Sequence, residues 1–265
     1  TALTNLAQPL RGTGQRSSPQ LENATYIGLS RQMTLRRELD VVANNIANAN
    51  TTGFKVEQLL IGTELGARAR NDNVRPSVSF VLDNGVGRDF GQGALTQTSR
   101  PLDFAIEGEG AFFKLQDGAG EAYTRDGAFT LDPEGRLTTQ GGVPVLGDGG
   151  EIILNPALGE VAVGADGTIT QNGQLAGRLS VVRFDSLAAI EKSGDGLYRN
   201  RSNAVAIDAT DARIQQGMLE ASNVNSILEI TNLIEVSRAY ETITRLIEQT
   251  TDLSKRAVER LGRVS

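Results

Sequence analysis

The chain has 265 residues, with 26 Lys and Arg against 32 Asp and Glu and a formal net charge of −6. It contains no His, Cys or Trp, which excludes disulfides, thiolate or imidazole catalysis, and metal sites built on those ligands. The acidic balance argues against nucleic-acid binding. No apolar run exceeds four residues, so the sequence predicts no membrane-spanning helix.

Residues 1–20 carry Pro9, Gly12, Gly14, Ser17, Ser18 and Pro19 and read as a flexible leader. They lack the charged and apolar regions of a cleavable secretory signal. Residues 21–60 are expected to form an N-terminal helix and its turn. Leu35, Leu39, Val42, Ile46 and Ala49 step by four, three, four and three, the spacing of a seam between two helices packed side by side. Asn44, Asn45, Asn48 and Asn50 precede Gly53. Asn and Gly tolerate the left-handed conformation that closes a helix, and the same amides are candidates for bonds across subunits. Gly53 is expected to turn the chain, with Phe54 anchoring the turn in a core.

Residues 61–100 read as an extended linker and residues 101–205 as a β domain. Of 30 Gly, 26 lie between Gly53 and Gly217, and the period changes there to short strands and turns. Asp117–Gly120, Asp132–Gly135, Ala165–Gly167 and Gln171–Gln174 are the hairpin turns this pattern predicts. Asp103, Glu107, Glu109, Asp117, Asp126 and Asp132 raise the alternative of a carboxylate-dependent glycan hydrolase. Most of them stand beside Gly or Pro, where turn chemistry explains them.

Residues 206–265 are expected to hold a return linker and the C-terminal helix, from 226 to 261. Ser226 and Glu229 have the spacing of a capping box, and Asn223 and Asn225 are candidate caps or interface groups. Leu233, Val236, Tyr240, Ile243, Ile247 and Thr250 repeat the seam spacing. Arg238, Glu241 and Arg245 form a charged face that sets register if the helix meets neighbours. The resulting expectation is an α+β chain: long N- and C-terminal helices packed as a coiled-coil-like pair, with an inserted, mostly antiparallel all-β domain. Ile27, Leu29, Met33, Leu228, Ile230, Ile234 and Leu246 fall outside the seams. That leaves apolar surface for neighbouring copies to cover. The competing reading is an ordinary globular protein with an internal helix hairpin. A third is an acidic binding module whose function lies in the β domain.

The stretch from Leu39 to Lys55, Asp-Val-Val-Ala-Asn-Asn-Ile-Ala-Asn-Ala-Asn-Thr-Thr-Gly-Phe between them, resembles the N-terminal signature of bacterial flagellar rod, hook and hook-associated axial proteins. Pro101–Ile106 with Gly108–Phe113, Tyr123–Phe129, and Gln216–Asn225 with Ile234–Glu241 resemble further blocks of that family, in order. The wording at Leu29–Met33 and Ile234–Arg238 is most similar to the proximal-rod members, with the distal-rod members as nearest rivals. Residues 1–20 are extra relative to such chains.

The resemblance implies a non-enzymatic structural subunit of the basal-body rod, the drive shaft crossing the periplasm, with no cofactor and no small-molecule substrate. It implies delivery by the flagellar type III export apparatus without a cleavable signal, and partners among proximal and distal rod proteins and copies of the chain. The expected assembly interface comprises the seam residues Leu35, Leu39, Val42, Ile46, Leu233, Val236, Tyr240, Ile243 and Ile247. It further includes Asn44, Asn45, Asn48, Asn50, Gly53, Phe54, Asn223, Asn225 and Arg238.

Overall fold

The computed structural model describes residues 19–65 and 79–262; the expected leader, apart from its last two residues, lies outside them. Helix α1 (Pro19–Ala47) starts two residues before the expected helical segment and about four turns before the periodic pattern at Leu35. Proline suits that first position because its missing N–H would have no intrahelical partner there. A two-stranded ribbon follows, β1 (Glu57–Leu65) with β2 (Ser79–Arg88). Next come β3 (Leu95–Gln97), β4 (Phe104–Glu107), β5 (Ala111–Asp117), β6 (Gly120–Thr124), β7 (Phe129–Leu131) and β8 (Leu137–Thr139). The chain continues through β9 (Leu146–Gly147), β10 (Gly150–Glu151), β11 (Val161–Val163), β12 (Thr168–Gln171), β13 (Gln174–Arg178) and β14 (Val181–Phe184). Last are β15 (Ile190–Gly194), β16 (Leu197–Asn200), β17 (Ala206–Asp208), β18 (Arg213–Gln216), β19 (Met218–Glu220) and helix α2 (Ser226–Gly262).

The chain divides into two compact units. The first contains α1 up to Arg37, residues 61–84 and α2 from Val236 onward. Within it α1 and α2 run antiparallel. Gln32 Nε2 donates to Thr244 Oγ1 at 3.0 Å, and a Cβ at Gly28 would lie 2.9 Å from Ile247 Cγ1. Gly28 therefore lets the backbone of α1 approach the Ile247 side chain. Leu35 and Val236 are buried, and Tyr240, Ile243 and Ile247 are half-buried. The two helices pack as the seam spacing predicts.

The second unit contains Glu38–Leu60 and Gly85–Glu235. Its centre is a six-stranded sheet in the order β15-β16-β6-β5-β14-β17, antiparallel at every recorded pairing. Alternation along β5 sends Phe113 and Leu115 into a core on one face and Phe112 into a core on the other, as the two-residue period of a strand requires. The first core gathers Phe104, Phe129, Leu137, Ile152, Leu154, Ile169 and Ile214. The second stacks Phe90, Phe112, Tyr123, Phe184 and Tyr198, with Tyr123 and Phe184 edge to face at 4.9 Å.

All four predicted hairpins form. β5 meets β6 across Asp117 and Gly120, β7 meets β8 around Asp132–Gly135, and β12 meets both β11 and β13. The stretch expected as a return linker carries strands instead. β18 pairs with β4 and β19 with β3, with Gly217 at φ +72° between them. The chain thus comes back beside residues 95–107 immediately before α2 begins.

Candidate assembly surface and the buried joint behind it

Three of the signature blocks meet at one carboxylate. Glu220 is 1% exposed. Its Oε1 accepts from Lys55 Nζ at 2.6 Å and from the Gly93 N–H at 2.9 Å, and its Oε2 accepts from Arg125 Nε at 2.6 Å. Arg125 spends its remaining donors on the carbonyls of Ala111, Ile106 and Gly108. Lys55 Nζ also reaches the Gly91 carbonyl at 2.7 Å. Burial pushes the Lys55 ammonium below its ordinary range, and the bond and charge of Glu220 oppose that shift. The Arg125 guanidinium is lowered by burial in the same way, again against the pull of Glu220. Two cations share one anion, so removing the anion would leave both desolvated and unpaired.

The backbone around Lys55 is held by side chains as much as by a sheet. The Gly53 N–H donates to the Glu220 carbonyl at 2.8 Å. Asn223 Oδ1 accepts from the Val56 N–H at 2.8 Å, and its Nδ2 donates to the carbonyls of Asp89 and Gly91. Asn45, 1% exposed, accepts from the Glu57 N–H at 2.9 Å and donates to the Glu57 carbonyl at 2.8 Å and to Glu229 Oε2 at 3.0 Å. The Glu57 carboxylate takes Asn44 Nδ2, Arg88 Nε and, at 3.5 Å, Lys192 Nζ. Lys192 Nζ also stands 4.4 Å over the ring of Phe54. Ends of α1 and α2 and the segment 53–57 are thereby tied within one unit.

The expected interface residues separate into three groups. Leu35, Val42, Asn45, Gly53, Phe54 and Val236 are buried within the chain. Leu39, Asn44, Ile46, Asn48, Asn223, Leu233, Tyr240, Ile243 and Ile247 are half-buried, and Asn50, Asn225 and Arg238 are exposed. The amides of Asn44, Asn45 and Asn223 are spent on intramolecular bonds. Asn48 closes the end of α1, donating to the Asn44 carbonyl and accepting from Thr51 Oγ1. Asn225 caps α2, its Oδ1 accepting from the N–H groups of Ile227 and Leu228. The capping box expected of Ser226 does not form, because the helix starts at Ser226 itself and Glu229 turns instead to Asn45 and Asn232.

Exposed apolar side chains lie elsewhere on the helices. On α1 they are Tyr26, Leu29 and Met33, and on α2 Ile227, Leu228, Ile230, Ile234, Leu246 and Leu253. At 3.6 residues per turn, those of α2 lie about 90° or more around the helix from the middle of the face formed by Leu233, Val236, Tyr240, Ile243 and Ile247, with Ile227 and Ile234 on the opposite face and the others to either side of it. Six of the seven residues expected outside the seams are exposed, and Ile27 is half-buried.

The charged centre of the joint, Lys55, Arg125 and Glu220, escaped the sequence reading. Its one visible signal was that each of three blocks carries a single Lys, Arg or Glu, at Lys55, Arg125 and Glu220. Three of the carboxylates that suggested hydrolysis are engaged by turn and loop groups. Asp117 accepts from the Ala119 N–H, Asp126 from Ala128 N–H and Thr52 Oγ1, and Asp132 from the N–H groups of Glu134 and Arg136. Among the described residues no group of three or more acidic side chains is placed to hold a metal ion. No helix there is long and apolar enough to cross a membrane.

Comparison with known proteins agrees with this architecture. Residues 26–55 match the family described as flagella basal body rod protein, residues 105–171 the D1 domain of flagellar hook protein FlgE/F/G, and residues 215–260 the C-terminal part of flagellar basal body rod FlgEFG protein. The chain is 55% identical over 246 residues to the flagellar basal-body rod protein FlgF of Caulobacter vibrioides, covering 92% of this chain and 100% of that one. It is 39% identical over 249 residues to FlgF of Mesorhizobium japonicum, covering 91% and 99%. Identity to the rod protein FlgG of Bacillus subtilis is 30% over 259 residues, covering 88% and 97%. With terminal helices around an antiparallel β region, matching blocks at both ends and in the middle, and full-length relatives of this kind, the chain belongs to the flagellar basal-body rod protein family as a structural subunit.

Proposed function

We propose that this rod subunit polymerises through its two terminal helices, using the row of exposed apolar side chains on α2 and its counterpart on α1. The carrying observation is that row: Ile227, Ile230 and Ile234 stand 78%, 47% and 47% exposed, on the side of α2 turned away from α1. Burying a few hundred Å² of such surface stabilises a contact by roughly several kcal/mol at about 25 cal/mol per Å². Neighbours of the same build cover it best, and a repeating head-to-tail contact generates a filament.

The partners in this reading are copies of the chain and the adjoining proximal and distal rod proteins, and the identity to FlgF relatives supports a place in the proximal rod. The Asn and seam residues named from the sequence act mainly by holding the helix ends in the geometry that presents the apolar row. Arg238, Asn50 and Asn225 are the members exposed enough to touch a neighbour directly. The site is the periplasmic part of the basal body, reached through the flagellar type III export apparatus. The subunit performs no catalysis, and its carboxylates serve turns and ion pairs.

Sedimentation of the purified chain over a concentration series, with helical content followed in parallel, tests the proposal. Species larger than the monomer and rising helical order are expected at high concentration. Ile230→Asp with Ile234→Asp is expected to abolish both, and swimming with them, while near-ultraviolet spectra of the β region stay unchanged. A double variant that assembles and swims like the parent overturns the assignment.

A further inference from the structure

The joint around Glu220 has properties that assembly through the helices does not require. Its three charged groups come from residues 55, 125 and 220, and all three are 2% exposed or less. The two hydrophobic cores are complete without it: neither contains any residue of segment 53–57 or of 218–229. Arg125 keeps three carbonyl acceptors when Glu220 is set aside. Segment 53–57 depends on this joint and its Asn neighbours, through bonds to Glu220, Asn223 and Asn45.

We propose that Glu220 is the shared counter-ion of a latch that docks the end of α1 and the entry to α2 onto a β region already folded without them. With Glu220 in place, one anion compensates two buried cations, and Gly53, Gly93 and Lys55 are fixed by the same residue. Without it, Lys55 and Arg125 face each other unpaired in a desolvated site. Segment 53–57 then leaves, taking with it the acceptors and donors that Asn45 and Asn223 use. Glu220 lies after every strand of the six-stranded sheet in chain order, so the latch closes only once the chain through residue 220 is present. Lys55 and Arg125 are positioning residues in this scheme, acting through Glu220.

Amide hydrogen exchange on dilute full-length protein reads the latch separately from assembly. Glu220→Gln preserves shape and removes the charge. It is expected to speed exchange at Gly53, Val56, Glu57 and Gly93 by roughly a hundredfold, with amides of β5, β6 and β14 unchanged. Lys55→Met leaves Glu220 paired with Arg125 and is expected to open the segment less. The combination Lys55→Met with Glu220→Gln relieves the facing cations, so it is expected to exchange more slowly at Val56 and Glu57 than Glu220→Gln alone. Exchange that rises evenly into β5, β6 and β14 overturns the latch, since Glu220 is then simply part of the core. A double variant opening as far as Glu220→Gln overturns the shared counter-ion.

Discussion

Gly53 shows how much one residue is asked to do at the joint. It sits at φ +66°, and a Cβ there would come within 2.5 Å of the Arg125 carbonyl carbon. The left-handed conformation alone costs a non-Gly residue about 1–2 kcal/mol, and the contact is to backbone, which yields little. Gly53→Ala is therefore expected to destabilise the chain by more than about 2 kcal/mol, measured by denaturant unfolding. Its neighbour Phe54 is buried under Lys192, as an apolar anchor should be. Both were legible as a turn and its anchor. The role of Lys55 was not, because nothing in a lone Lys says whether its stem and charge point to water or to a carboxylate 165 positions away.

At the scale of the element, α2 starts at Ser226, where the spacing places it, and capping chemistry decides which of the expected caps is used. Ser226 and Glu229 satisfy the capping-box spacing, but Asn225 already occupies the cap position and accepts from two free N–H groups, which releases Glu229 for Asn45. Replacing an Asn cap by Ala costs about 1 kcal/mol. Asn225→Ala is expected to lower the thermal midpoint of helix loss accordingly, whereas Ser226→Ala leaves it unchanged. Further along α2, the hydroxyls of Thr231, Thr242, Thr244, Thr250 and Thr251 each donate to the carbonyl four residues earlier. A helix rich in β-branched residues thereby hides polar groups along its own backbone. The strands β18 and β19 illustrate the opposite case. Each is only three or four residues long and shows no alternation long enough to read, and only pairing with β4 and β3 reveals them.

For the whole molecule, two buried phenols shape the alkaline limb of the pH dependence of stability. Tyr123 and Tyr198 are pushed up from 10 to about 12, chiefly by burial, and for Tyr123 the adjacent Glu121 adds to it. In the unfolded chain both ionise near pH 10. The folded state thus holds more protons between pH 10 and 12, and the stability these groups contribute is intact below pH 10 and is lost as pH rises through that window. Unfolding midpoints are expected to fall steeply between pH 10 and 12. Tyr198→Phe keeps the ring against Phe90 and Phe112 and is expected to shallow that fall and to remove one phenol from the late phase of a 295 nm absorbance titration. Lys55 acts with the opposite sign: its lowered value makes stability rise as pH approaches 10.5.

The amino-acid order alone determined the long terminal helices, their seams, the four hairpins and the apolar excess on the helix faces. These depend on periodicity and turn residues a few positions apart, where local geometry decides. The tertiary structure alone decided that Lys55, Arg125 and Glu220 share one buried site, that the Asn amides bond within the chain, and that the return segment is β structure. Those outcomes depend on partners up to 184 residues apart, as between Asn45 and Glu229. A charge or an amide carries no local mark of the distant group that will satisfy it once water has been excluded.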